Sequence, residues 1–237
     1  MEYIYPHKEI NGLKSKYSVS EIKHMSMEDN EDEASKVTVP ERIKPVPRFR
    51  KDGDEEVKGT LRGTAYHRFF EILNYDCCKD YNSLEEFLKT SVAAGKISEE
   101  YAGLINLKRF EEFLQTDLGK RMGRAYKNGM LFREQPFIME LGADMIDREY
   151  PQEEKILVQG IVDAFFFEDD KVYVVDYKTD RVEQGKAGEK ALVERYHKQL
   201  ELYSDTISKV TGKETGGCYI YSTCLKKEIL IELPTYI

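Results

Sequence analysis

A chain of 237 residues with 41% hydrophobic side chains is long enough to bury a core, and it contains no run of about eighteen apolar residues that could span a bilayer. Its formal charge of −8 excludes nucleic-acid binding through a bulk positive field but leaves room for a local basic path. Four cysteines without a CxxC pair read as reduced, mostly buried thiols rather than a disulfide framework or a zinc site, and the N-terminal "MEYIYPHKEINGLKSKY" lacks the apolar segment of a signal peptide, so the expected location is cytoplasmic, with no membrane partner.

Along the chain, "YSVSEIKHM" places Ser18 three residues before Glu21, a capping box that predicts a short helix from about Val19. The acidic "MEDNEDEASK", then Pro40, Pro45 and Pro47 and the charged "RFRKDGDEEVK", read as a connector. The expected organisation is therefore an N-terminal helix and linker over 1–58 and a compact domain over 59–237. "GTAYHRFFEILNY" predicts a helix with Thr64 as its candidate N-cap and Ala65, Phe69, Ile72 and Leu73 on its apolar side. Three or so further helices follow up to Tyr126, broken at Gly95 and around Thr116 to Gly119. Within them, "LKRF" and "GKRMGRAYK" concentrate basic residues, either as a solvated face or as phosphate contacts.

The second half changes period. "LFREQPFIMEL", "KILVQGIVDAFFFED", "KVYVVDYKT", "GGCYIYST" and "KKEILIEL" are β-rich runs, with "EDDK" closing a hairpin between Phe167 and Val172. One long helix interrupts them, "EKALVERYHKQLELYSDTISKV", whose Leu192, Tyr196, Leu200, Tyr203, Ile207 and Val210 recur every three or four residues. Strand, crossover helix and strand suggest a right-handed βαβ unit added to antiparallel strands. The expected class is α/β, with a central mixed sheet flanked by helices and a helical subregion.

Alternation along "KVYVVDYKTD" puts Asp176 and Lys178 on the same side of one strand end. If the "EDDK" turn forms the hairpin, residues whose numbers sum to about 339 face one another, which sets Asp163 across from Asp176. Facing carboxylates are unfavourable unless a cation lies between them, and Lys178 can satisfy only one. Two acids and a lysine at a strand end therefore suggest a divalent-cation site suited to phosphodiester hydrolysis. Read alone, the Asp176–Lys178 pair is equally an ordinary salt bridge, and His67 an ordinary helix-surface partner of Glu71. Glu134 of "REQPF" is either an acid behind the metal or a strand-end surface charge.

Taken together and in order, "GTAYHRFFE", "REQPF", "QGIVD", "VDYKTD" and "YHKQLELY" resemble the RecB-type branch of the PD-(D/E)xK nuclease superfamily, and within it the AddA-type nuclease domains. The likeness runs from about Ser18 to the C-terminus. It implies a restriction-endonuclease-like α/β core, with His67, Asp163, Asp176 and the backbone carbonyl of Tyr177 as metal ligands. Asp163, Asp176 and Lys178 would be the catalytic set, Lys178 being the catalytic lysine, and Gln199 and Tyr203 would lie along the DNA. The implied cofactor is Mg²⁺ or Mn²⁺, and the implied partners are single-stranded DNA at the site, a covalently attached helicase and an AddB-like subunit. Repair of double-strand breaks would be the setting. Some relatives in that branch hold an iron–sulfur cluster through a CxxCx₅C run; here Cys218 and Cys224 keep the gap but Thr215 stands where another cysteine is needed, so no cluster is expected. A non-cleaving DNA-binding or subunit-docking module on the same scaffold is the alternative.

Overall fold

The computed structural model describes residues 13–28, 54–145, 150–151 and 153–233, so most of the expected connector lies outside the described residues. In chain order the elements are β1 (Lys16–Ser18), α1 (Val19–Glu28), α2 (Asp54–Ile72), α3 (Tyr81–Ala93), α4 (Glu99–Ala102), α5 (Leu107–Gln115) and α6 (Asp117–Lys127). Then come β2 (Leu131–Gly142), a single 3₁₀ turn, β3 (Lys155–Glu168), β4 (Lys171–Lys178), α7 (Lys186–Thr211), β5 (Thr215–Ser222) and β6 (Lys227–Ile231). All the strands join one six-stranded sheet in the order β1-β3-β4-β5-β6, with β2 also on β3. β1 is parallel to β3 and β4 to β5, and the other pairs are antiparallel, so the sheet is mixed as expected.

Local chemistry explains most boundaries. The Ser18 amide donates to Glu21 Oε2 at 2.8 Å and the Glu21 amide to Ser18 Oγ at 3.2 Å, the reciprocal bonds of the capping box that starts α1. Thr116 Oγ1 accepts from the Gly119 amide at 3.0 Å and restarts the chain as α6. The hairpin turn holds Asp169 and Asp170 at φ +50° and +63°, the left-handed pair whose twist matches the flanking strands. One boundary differs from expectation: α2 begins at Asp54, and Thr64 is no cap but donates from Oγ1 to the Thr60 carbonyl one turn back. Gly59 and Gly63 carry poor helix propensity and point to a later start, but at Gly63 the missing side chain serves packing. A Cβ there would lie 3.3 Å from Thr179 Oγ1, so glycine lets α2 approach the end of β4.

The sheet separates two cores. On one face α1 and α7 cover it, with Tyr17, Val19 and Ile22 packed among Val158, Val174, Leu200 and Ile207. On the other, Phe69, Phe70, Phe110, Phe113 and Met122 of α2, α5 and α6 cover Phe166, Val175 and Tyr177. Val172 and Val174 face the first core while Val175 and Tyr177 face the second, which sends Asp176 and Lys178 toward α7 and sets Tyr177 beneath α2. Two of the four thiols, Cys78 and Cys218, are buried; Cys77 is exposed and Cys224 half-buried. Among the described residues no helix is long and apolar enough to cross a membrane.

Ile22 ties α1 to the same core as α7. Ile22→Ala should lower stability by about 2–5 kcal/mol, the usual cost of emptying a buried aliphatic site, and urea unfolding should show it as a shifted midpoint at unchanged slope. An unshifted midpoint would mean that α1 is not packed on the sheet.

Candidate active site

The site forms where β4 parts from β3. From Glu168 opposite Lys171 to Ala164 opposite Val175 the hairpin keeps the expected register, and there the ladder ends. One step on, the Asp163 carboxylate takes over the role of a ladder carbonyl: the Tyr177 amide donates to Asp163 Oδ2 at 2.8 Å. Farther back, the edge of β3 that β4 has vacated is occupied by β1, which pairs with Leu157, Val158 and Gln159. On the opposite edge β2 pairs with β3 at Arg133–Ala164 and Gln135–Val162 but skips the step between, where Glu134 faces Asp163. Glu134 sits there at φ +49°, a left-handed backbone that is costly outside glycine and asparagine. Even-numbered residues of β3 join the α1/α7 core up to Val162 and the helical core from Ala164, so the strand also turns over at Asp163.

Helix α2 supplies the third group. Phe70 stacks flat on the Tyr177 ring at 3.8 Å between centroids, and one turn earlier on the same face His67 meets that ring edge-on at 6.2 Å. His67 Nδ1 thereby lies 3.4 Å from Asp163 Oδ1 and 4.0 Å from Glu134 Oε1. One ligand atom from each of His67, Glu134 and Asp163 falls within 4.8 Å of the other two. Burial would raise the Asp163 carboxyl, but the hydrogen bond and charge of His67, the charge of Lys178 and the Tyr177 amide outweigh it and hold the group below its ordinary range. At Glu134 the balance is reversed: burial and the neighbouring Asp163 charge outweigh the charges of His67 and Arg68 and push it up to about 7. For His67, burial favours the neutral ring, and Asp163 reverses this and raises it.

Asp176 and Lys178 meet as alternation required, with Nζ 2.8 Å from Asp176 Oδ2. Asp176 is 0% exposed, and Gln199 Nε2 of α7 donates to its Oδ1 at 2.9 Å while contacting the Tyr203 hydroxyl at 3.0 Å. The Lys178 contact is close enough for an ion pair but lacks hydrogen-bond geometry, so Oδ2 has no hydrogen-bond partner among the described residues. Burial pushes Asp176 up to about 6, with Lys178 opposing that shift and Asp163 adding to it. Burial works against the Lys178 ammonium too, yet Asp176 and Asp163 raise it above the usual lysine range. Its Nζ also lies 4.2 Å from the centre of the Tyr196 ring, and Lys23 Nζ of α1 lies 4.2 Å from the same ring. Tyr196 is held in turn by donating to Asp180 Oδ1 at 2.8 Å, an oxygen that Arg195 also reaches at 2.8 Å.

The model of the PD-(D/E)XK nuclease superfamily matches residues 41–232, a span that contains every residue of this site except Lys23. The chain belongs to that superfamily. Among curated proteins, an ATP-dependent helicase/nuclease subunit of Clostridium perfringens strain SM101 is 33% identical over 231 residues, covering 92% of this chain and 18% of that protein. The proteins of the same name from Clostridium botulinum strain Alaska E43 and Thermoanaerobacter sp. strain X514 are each 35% identical, over 238 and 227 residues, with 97% and 93% of this chain and 19% and 18% of the relative covered. This chain thus spans about a fifth of the length of the curated relatives it matches. Among solved structures, SSO0001 overlaps 76% of this chain and 80% of its own at a TM-score of 0.33 and 14% identity, a likeness too distant to bear on fold or function.

Within this nuclease fold the residues singled out from sequence fall into two adjoining groups. His67 and Asp163 meet, and the structure adds Glu134, which sequence left open between two readings. Asp176, Lys178, Gln199 and Tyr203 form the second group, with Gln199 and Tyr203 buried behind Asp176. Tyr196, read from its spacing as part of an apolar stripe, does pack there but also faces Lys178. Its place three residues before Gln199 on one helix face was the available signal. Glu71 forms an ion pair with Arg68 at 2.5 Å rather than with His67. The donor set of one imidazole and crowded carboxylates, with a buried Asp176 oxygen lacking a hydrogen bond, fits a divalent cation, whose binding would displace the protons that crowding favours.

Glu134→Gln keeps the shape and removes one of the facing charges. Calorimetric titration with Mn²⁺ should show affinity at least about tenfold weaker than for the unaltered chain. Equal affinity would remove Glu134 from the ligand set.

Proposed function

We propose that this chain is the divalent-metal-dependent nuclease part of a DNA helicase-nuclease, hydrolysing phosphodiester bonds in a strand that a motor delivers. The observation that carries the reading is the meeting of His67, Glu134 and Asp163 beside the buried Asp176–Lys178 pair, at the point where β4 leaves β3. The relatives' shared name supports the attached helicase, and the resemblance to AddA-type domains supports an AddB-like partner, a role in double-strand-break repair and a cytoplasmic setting.

His67, Asp163 and Asp176, with Glu134 and the Tyr177 carbonyl, would hold Mg²⁺ or Mn²⁺. A cation there supplies positive charge that polarises a phosphate oxygen and makes a water more acidic. The Tyr177 amide fixes the Asp163 carboxylate against rotation, and Gln199, backed by Tyr203, does the same for Asp176. Gln199 and Tyr203 thus act on the substrate through Asp176. Lys178 stays an ammonium at neutral pH, so it serves as a fixed cation and hydrogen-bond donor rather than as a base. It orients the attacking water and stabilises the charge that builds on the phosphate oxygens. The water oxygen bonds to phosphorus, the bond from phosphorus to the 3′-oxygen breaks, and the water loses a proton as the departing oxygen gains one. The products are a 5′-phosphate and a 3′-hydroxyl.

Incubated with linear single-stranded DNA and Mg²⁺ or Mn²⁺, the chain should cut. Asp163→Ala and Lys178→Ala should each lose at least about a hundredfold in rate, the scale on which charge-stabilising groups act. Cleavage by all three alike would sink the assignment, and no cleavage together with no metal binding would favour the non-cleaving module.

A further inference from the structure

The basic cluster of α6 borders a second cavity, away from the metal-binding groups. It measures about 350 Å³ and lies between α6, the end of α5 and the segment that joins α2 to α3. Lys79, Lys120, Arg124 and Lys127 line it, and among the described residues no carboxylate does. The cavity beside His67 is different, since Glu71 and Glu134 there oppose Arg68 and Lys96.

Helix chemistry accounts for only part of this. Arg124 and Lys127 stand in the last turn of α6, where the helix dipole favours cations. Lys120 stands near the other end, where the dipole disfavours them, and Lys79 belongs to a different segment. Lys120, Arg124 and Lys127 share a helix face at spacings of four and three, so their like charges repel. Only Arg124 has an ion-pair partner among the described residues, Glu168 at 3.2 Å. Lys79 is held in place by donating from Nζ to the Tyr75 carbonyl at 2.8 Å. In a chain of net charge −8, four cations around one cavity with so little compensation suit a polyanion. Arg124 meets Glu168, five strand residues along β3 from Asp163, which sets that wall of the cavity on the order of 15 Å from the metal-binding groups at the rise of a strand.

We propose that this cavity is a second contact for the DNA strand, binding backbone phosphates a few nucleotides from the metal-binding groups. The proposal rests on the reading of the chain as a nuclease acting on single strands. It assigns the cavity the register-setting role of a phosphate contact without base selection.

The test is single-strand binding as a function of salt, measured by fluorescence anisotropy in chelator with strands of about twenty and about three nucleotides. Lys120→Gln with Lys127→Gln is the variant, since Arg124 and its bond to β3 remain; Lys120→Arg with Lys127→Arg is the control, and thermal melting checks the fold. For the long strand, the slope of log affinity against log salt should become shallower by about 1.4, two phosphate contacts at about 0.7 each, and the arginine pair should restore it. The short strand, able to occupy the cavity but too short to reach the metal-binding groups as well, should lose affinity with the glutamine pair and keep it with the arginine pair. An unchanged slope for the long strand, or short-strand binding that the glutamine pair leaves alone, overturns the proposal and leaves the cavity to an acidic protein surface. Because nothing need be cut, a chain without nuclease activity can still show the change in slope, and an active nuclease can fail to show it.

Discussion

A single hydrogen bond, from the Tyr177 amide to the Asp163 carboxylate, organises the site. Where a ladder would continue from carbonyl to amide, a side chain replaces the main chain and β4 is released from β3 without leaving a buried donor unpaired. The release opens an edge that β1 can occupy farther back, and it leaves the carboxylate immobile, facing Glu134 on one side and His67 on the other. On the far side of the same strand step, the Tyr177 ring lies flat against Phe70 and so sets the height of α2 over the sheet. One residue therefore joins both halves of the site: its amide fixes Asp163 and its ring, through α2, fixes His67.

Burial divides otherwise similar groups. Asp163 and Asp176 are both taken from water, yet one is held below the ordinary carboxylate range and the other pushed up to about 6. The difference is in donors: Asp163 has a main-chain amide and the His67 imidazole, whereas Asp176 has the Gln199 amide and an ammonium without hydrogen-bond geometry. Glu134, pushed up to about 7, also bears the cost of a left-handed backbone. Strain and crowded charge gathered on one strand step are what a binding site needs and a purely structural one avoids.

Much of this was legible in the sequence because it follows from period and turn chemistry. The period of two along β4 put Asp176 beside Lys178, and the two-residue turn at Asp169 and Asp170 fixed the register that brings Asp163 to the same step. Ser18 with Glu21, and Thr116 with Gly119, marked helix starts that the backbone obeys. What was not legible depends on tertiary contact. Nothing local indicates that Glu134 adopts a left-handed backbone, because only the facing Asp163 accounts for that position. Thr64 as an N-cap would leave Gly63 outside α2, and the packing of α2 on Thr179 overrides the low helix propensity of that glycine. Nothing local to Lys23 marks its place, and only the sheet pairing of β1 shows that α1 lies over α7 and reaches Tyr196.

That last contact links the two sides of the acidic stretch. Before it, β1 and α1 complete the edge of β3 and bring an ammonium to the Tyr196 ring; after it, β4 brings Lys178 to the same ring. The two ammoniums are thus no farther apart than twice their common distance to the ring centre, and each lowers the other's ease of carrying charge in a partly buried place. Repulsion of this kind is tolerable near Asp176 and Asp180, and it becomes favourable when a phosphate approaches, because one anion relieves both. A chain that is acidic as a whole then attracts an anion only where cations gather locally. Under the proposed reading, affinity and alignment then come from the same two ammoniums, which the Asp176 and Asp180 carboxylates hold in place until a phosphate arrives.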